Sequence, residues 1–137
     1  MSNPTPQEAL VYLMVIMSAS DRDMGDDELA RIGAIVRTLP VFRGFDQART
    51  LAVAQVCQRL LQEEEGLEGL LSLVKSALGE DLRETAYALA VDVAAADLSV
   101  REEETRMLDI IKERFDLDPL AVAAIERAAA IRHRVTR

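Results

Sequence analysis

The apolar residues of this chain recur at spacings of three and four along nearly its whole length, the period of one face of an α-helix. Leu10, Leu13, Met14 and Met17 form the first such face, and Leu29, Ile32, Ile35, Val36 and Leu39 the second. Val53, Val56, Cys57, Leu60 and Leu61 make a third, followed by Leu67, Leu70, Leu71, Val74 and Leu78. Leu82, Ala86, Leu89, Val93 and Ala96 give the fifth, and Met107, Leu108, Ile111 and Phe115 the sixth. Ala121, Ala124, Ile125, Ala128 and Ile131 make the last. No stretch alternates with the period of two that a half-buried strand requires. The pattern predicts an all-α chain.

Breakers and caps divide it consistently. Pro40 ends the second helix, the run to Phe45 is a loop, and Asp46 suits the N-cap of the third helix. Gly66 and Gly79 fall at boundaries where a glycine can take the left-handed conformation. Asp118-Pro119 reads as a cap followed by the first helical position. The predicted helices run over 6–20, 24–39, 46–64, 67–78, 80–96, 100–115 and 119–134. No linker separates them, so residues 1–137 are expected to form one domain.

The chain also repeats itself. At a constant offset of 76, Asp21 meets Asp97, Met24 meets Val100, and Asp27-Glu28 meets Glu103-Glu104. The faces that follow stay in step, since Ile32 meets Leu108 and Ile35 meets Ile111. Upstream, each copy has an apolar helix with a tyrosine near its middle, Tyr12 and Tyr87, one residue out of register. Two helical hairpins of one design, separated by a central helix pair, predict a compact, pseudo-symmetric bundle of about seven helices.

Composition narrows the function classes. A single cysteine, Cys57, excludes an internal disulfide and a cysteine zinc cage. The net charge of −8 repels phosphate backbones, so no nucleic-acid partner is expected. The longest apolar run, Ala9 to Met17, is half the length of a membrane span, and the first residues do not resemble a signal peptide. A cytoplasmic protein without direct membrane insertion is expected. No glycine-rich phosphate loop follows a strand, and no serine, cysteine and histidine set supports nucleophilic catalysis. No catalytic residue is assigned, and the chain is not expected to be an enzyme.

The repeated turns carry the candidate chemistry. Each places an Asp at the close of one helix and a Glu seven residues later, in the opening turns of the next. Carboxylates so placed can point into one concavity and supply oxygen ligands to a hard cation. If the pseudo-symmetry joins the turns, Asp21, Glu28, Asp97 and Glu104 offer four carboxylates, a set suited to calcium, magnesium or manganese rather than zinc. The spacing is not that of an EF-hand, whose loop takes twelve residues with glycine sixth; here Asp21 to Glu28 spans eight and Gly25 is fifth. A metal-free reading uses the same segments. Ser99 to Glu102 reads as a capping box and Asp23 to Asp26 as a weaker one, and acidic residues suit a helix N-terminus. Capping accounts less well for Asp21, Asp97, Glu28 and Glu104. On this alternative the acidic face, with Asp27 and Glu103, binds a basic protein segment.

These residues resemble the motif of the TerB-like tellurite-resistance family: a small residue, Asp, usually Gly, one residue, an aliphatic, three residues, then Glu, occurring twice. The chain has Ser20-Asp21-Arg22-Asp23-Met24 with Glu28, and Ala96-Asp97-Leu98-Ser99-Val100 with Glu104, and the resemblance extends from about Ala9 to Ile131. It implies a compact cytoplasmic helical domain with an acidic face, a divalent-metal site, and a link to tellurite and other stress resistance. It also implies a membrane-embedded protein partner at the inner face of the membrane. The glycine usual after each Asp is Arg22 in one copy and Leu98 in the other, which raises the cost of a left-handed turn there by roughly 1–2 kcal/mol.

Other polar features read as structural. Glu63-Glu64-Glu65 with Glu68 is a solvated charge run between helices. Asp92, five residues before Asp97, does not share its helix face and is expected to be exposed or hydrogen-bonded. Cys57 and the methionines sit at core spacing. Arg127, Arg132, His133, Arg134 and Arg137 make a basic C-terminus that suits a helix's negative end. Val41 to Phe45, with two aromatics, is expected to lid the core.

Overall fold

The computed structural model describes residues 3–18, 25–96 and 102–136, the side chain of Ala96 excepted. Among these residues there are seven α-helices and no strand: α1 (Pro6–Ser18), α2 (Asp26–Thr38), α3 (Thr50–Leu61), α4 (Gly66–Ala77), α5 (Glu80–Ala96), α6 (Glu102–Phe115) and α7 (Pro119–Arg132). Two short 3₁₀ turns, Pro40–Phe42 and Gln47–Arg49, connect α2 to α3. Each copy of the repeat pairs an apolar central helix with the acidic helix that follows it, α1 with α2 and α5 with α6. α2 opens at Asp26 and α6 at Glu102, 76 positions apart, and Tyr12 and Tyr87 are both buried.

α1 and α5 pack against each other at the centre. α3 and α4 cover α1, α6 and α7 cover α5, and α4 reaches across to α6. This position explains α1. The spacing predicts one apolar face, but every residue from Ala9 to Met17 is buried, because a helix enclosed by neighbours must be apolar all round. Met14, Met17 and Cys57 are in the core.

α7 differs from its predicted face. The side towards α5 is Val122, Ile125 and Ala129, whereas Ala124, Ala128 and Ile131 face solvent. Alanines all round the helix give too little contrast to set its rotation.

The connections follow local chemistry. Leu39 is extended (φ −89°, ψ 136°), the conformation a following proline imposes, so Pro40 does end α2. Asp46 caps the 3₁₀ turn rather than α3 itself: its Oδ1 accepts from the Ala48 N–H at 3.0 Å, and α3 begins only at Thr50. Phe42 is buried and meets Phe45 edge to face, with centroids 5.9 Å apart. The Gln7 amide nitrogen donates to the Val41 and Arg43 carbonyls at 3.1 and 2.9 Å, fixing this lid to the start of α1. Gly66 has a left-handed φ of +44°, and a Cβ there would lie 3.1 Å from the Leu61 carbonyl oxygen. Gly79 does not take a positive φ; Leu78, in an extended conformation, ends α4 instead. Asp118 Oδ1 accepts from the Leu120 N–H at 3.2 Å with Pro119 as first helical residue, as the sequence predicts. No helix among the described residues is long and apolar enough to cross a membrane.

Candidate functional site

The heads of α2 and α6 are where the repeat concentrates charge. Gly25 is the N-cap of α2 (φ −77°, ψ 170°), which puts Asp26, Asp27 and Glu28 in the first turn. The Gly25 N–H donates to Glu28 Oε2 at 2.7 Å. This is the glutamate half of a capping box; glycine has no side chain to supply the other half. The sequence leaves Glu28 poorly explained by capping and offers Asp23 to Asp26 as a weak capping box, of which Asp23 lies outside the described residues, as does Ser99 of the other box. In the structure Glu28 itself caps, because the helix opens two residues later than its apolar spacing suggests. One carboxylate oxygen is thus held by the backbone.

At the equivalent position of α6, Glu104 is 8% exposed, a buried carboxylate in a first turn with Glu102 and Glu103. Burying a charged group is unfavourable unless it is hydrogen-bonded or paired, so this carboxylate is held in a defined polar setting. Asp27 and Glu103, the residues expected to face a partner, are both exposed. Asp21 and Asp97, the other two predicted cation ligands, lie outside the described residues, as do Arg22 and Leu98. No group of three or more histidine, cysteine, aspartate or glutamate side chains suited to a metal ion occurs among the described residues.

A family model for Tellurite resistance protein TerB matches residues 7–131. The chain belongs to the TerB family. No curated protein and no solved structure gives a match to it.

The TerB chain carries a second polar cluster that the sequence does not reveal. The ring of Tyr87 is fully buried on α5, yet its hydroxyl donates to Glu126 Oε2 on α7 at 2.5 Å. Lys112 of α6 lies 3.4 Å from the same oxygen and 3.0 Å from Asp109. Burial and the adjoining Glu126 carboxylate hold the Tyr87 phenol well above the usual tyrosine range. The hydrogen bond to Asp109, followed by the charge of Glu126, raises Lys112 despite its partial burial. Three helices are therefore tied through one carboxylate. The only sequence signal is general: a tyrosine in a fully apolar helix needs a partner for its hydroxyl.

Tyr87→Phe is expected to lower unfolding free energy by about 1–2 kcal/mol, the worth of a hydrogen bond to a charged acceptor that can still reach water. Urea titration measures it; an unchanged midpoint would mean that the α5–α7 tie contributes nothing.

Ion pairs between helices complete the frame. Asp92 of α5 pairs with Arg132 of α7, with His133 Nε2 at 3.6 Å from the same oxygen. The basic end of α7 thus makes a tertiary pair in addition to complementing its own helix. Arg114 of α6 pairs with Glu68 of α4. Glu8 of α1 accepts from the Thr5 N–H and pairs with Arg49 at 2.6 Å, and these bonds hold its carboxyl below the usual range.

Proposed function

We propose that this tellurite-resistance-type TerB domain, residues 1–137, is a non-enzymatic cytoplasmic protein that binds a divalent cation through its two acidic inter-helix turns. The ligands would be Asp21 and Glu28 from one turn and Asp97 and Glu104 from the other. The ion would be calcium, magnesium or manganese, because the donors are all carboxylate oxygens. The observation that carries this reading is Glu104, a carboxylate already withdrawn from water at the head of α6 and related by the 76-residue repeat to Glu28. Binding would fix the junction of the hairpins and present an acidic face, including Asp27 and Glu103, to a protein partner embedded in the membrane at its inner face.

Glutamine separates ligation from capping, since its amide oxygen can also accept the N-cap N–H but carries no charge. Saturating calcium or manganese is expected to stabilise the wild-type protein by about 2.7 kcal/mol at a hundred times the dissociation constant. Glu28→Gln with Glu104→Gln is expected to abolish that gain. Calorimetric titration with calcium, magnesium and manganese, paired with thermal melts, measures both. No heat and no shift in melting temperature with any of the three ions would remove the cation from the reading.

A second reading is favoured by the hydrogen bond from the Gly25 N–H to Glu28. Glu28 then serves the helix alone, and the domain is a metal-free module whose acidic face takes a basic protein segment. Capture of such a segment would be salt-sensitive, would survive chelator, and would weaken when Asp27, Glu28, Glu103 and Glu104 are neutralised. Loss of capture on adding chelator would decide against it.

A further inference from the structure

Two surfaces on opposite helix pairs of this chain are left unsatisfied, and they complement one another. On α7, Leu120 is 78% and Ile131 50% exposed, with exposed Ala124 and Ala128 between them. These four positions fall within about 80° of helix circumference, so they form one ridge with a low middle. Val135, 69% exposed, follows just beyond the helix. Arg127, on the helix beside the ridge, and Arg134, just beyond the helix end, are exposed and make no ion pair among the described residues, unlike Arg132. Burying such a ridge is favourable, and nothing among the described residues buries it.

A groove of about 800 Å³ runs along α4 from its junction with the end of α3. Leu60 and Leu73, with the nearly enclosed Leu70, supply its apolar lining beside Asn3, Ser72 and Ser76, and the Glu65 side chain lies over Gly69. Glu63, Glu64 and Glu65 stand at its end; all three are exposed and none forms an ion pair among the described residues, whereas the neighbouring Glu68 is taken by Arg114. A trough whose leucines lead to an anionic end suits an apolar ridge with a cationic edge. α7 has that chemistry, but it is packed on α5 of its own chain.

We propose that α7 of one copy of this chain seats in the α3–α4 groove of a second copy. The contact is head-to-tail, because the two surfaces differ, so each copy offers one donor face and one acceptor face, and a chain or ring of copies follows. The contact is independent of the cation reading: it uses none of Asp21, Glu28, Asp97 or Glu104, and its test is run in chelator.

Sedimentation equilibrium at about 50 mM salt, from about 10 μM to about 1 mM protein, is expected to show the mean mass rising above 15.1 kDa. Raising the salt to about 500 mM is expected to weaken the association at least about tenfold. Leu120→Glu with Ile131→Glu removes the ridge, and Glu63→Arg with Glu64→Arg reverses the groove end; all four positions are exposed, and circular dichroism checks the fold. Each double variant alone is expected to remain at monomer mass. Mixing the two is expected to restore a 1:1 dimer, since one partner keeps an intact groove and the other an intact α7. A monomer at every concentration in low salt overturns the proposal. So does association that the groove variant retains on its own, which would indicate α7 pairing with α7. Association unaffected by either variant, or variants that do not recombine on mixing, overturns it equally.

Discussion

Leu13→Ala is expected to lower the melting temperature by about 10–15 °C, corresponding to about 3–5 kcal/mol for a domain of this length. Leu13 is fully buried on α1, and α1 is enclosed by α3, α4 and α5. Its neighbours are held by their own helices and can collapse only partly into the space left behind, so a cavity adds to the lost transfer energy. Leu120→Ala is the control. The same change on α7, at a residue 78% exposed, is expected to stay within about 0.5 kcal/mol. Differential scanning calorimetry of the two variants at about 10 μM protein and about 500 mM salt, where copies of the chain are expected to stay apart, measures the contrast. A loss below about 1 kcal/mol at Leu13 would mean that α1 is not the centre of the core.

The contrast between those two leucines also marks what the sequence makes legible. Helices with one wet and one dry side read correctly: Ile32 and Val36 of α2, and Ile111 and Phe115 of α6, are buried as their spacing predicts. α5 begins at Glu80 as predicted and stays helical through Ala96, the last described residue before the second turn. Helix faces cease to be legible where polar contrast vanishes. α1 is apolar on all sides, so spacing selects an arbitrary face, and α7 is alanine-rich on all sides, so spacing selects a face of which Ile125 packs against the core but Ala124, Ala128 and Ile131 do not. Turn chemistry is legible only through its usual residues. α6 closes at Asp116, which takes a φ of +50°, with the Leu117 N–H returning to the Lys112 carbonyl, a geometry normally flagged by glycine.

The candidate site divides in the same way. Its acidic residues are visible as a repeat, and the structure places Glu28 and Glu104 at matching positions in the first turns of their helices. What spacing does not give is the register of the helix start, and that register decides that Glu28 bonds the Gly25 N–H. Pairs such as Tyr87 with Glu126, or Asp92 with Arg132, join residues about forty positions apart and depend on how α7 lies on α5. No local pattern encodes that docking.

Alkaline solution is expected to unfold the protein through Cys57. The thiol is fully buried, its Sγ 3.5 Å from the Tyr12 carbonyl, and burial pushes its pKa from near 9 up to about 12. An unfolded chain releases this proton at the lower value and the folded chain retains it to the higher. The stabilisation is therefore complete below about pH 9 and is lost progressively as pH rises through about 12, a total on the order of 4 kcal/mol. Tyr12 and Tyr87 are shifted in the same direction by burial and add to the slope. Cys57→Ala isolates the thiol. Its stability at neutral pH falls slightly, but between about pH 10 and pH 11 its unfolding free energy is expected to decline less steeply than the wild type's, by about 1.4 kcal/mol per pH unit. Urea titrations at half-unit pH steps measure the slope. Parallel curves for the two proteins would show that the thiolate forms as readily in the folded chain as in the unfolded one, and that α1 and α3 open to water around it.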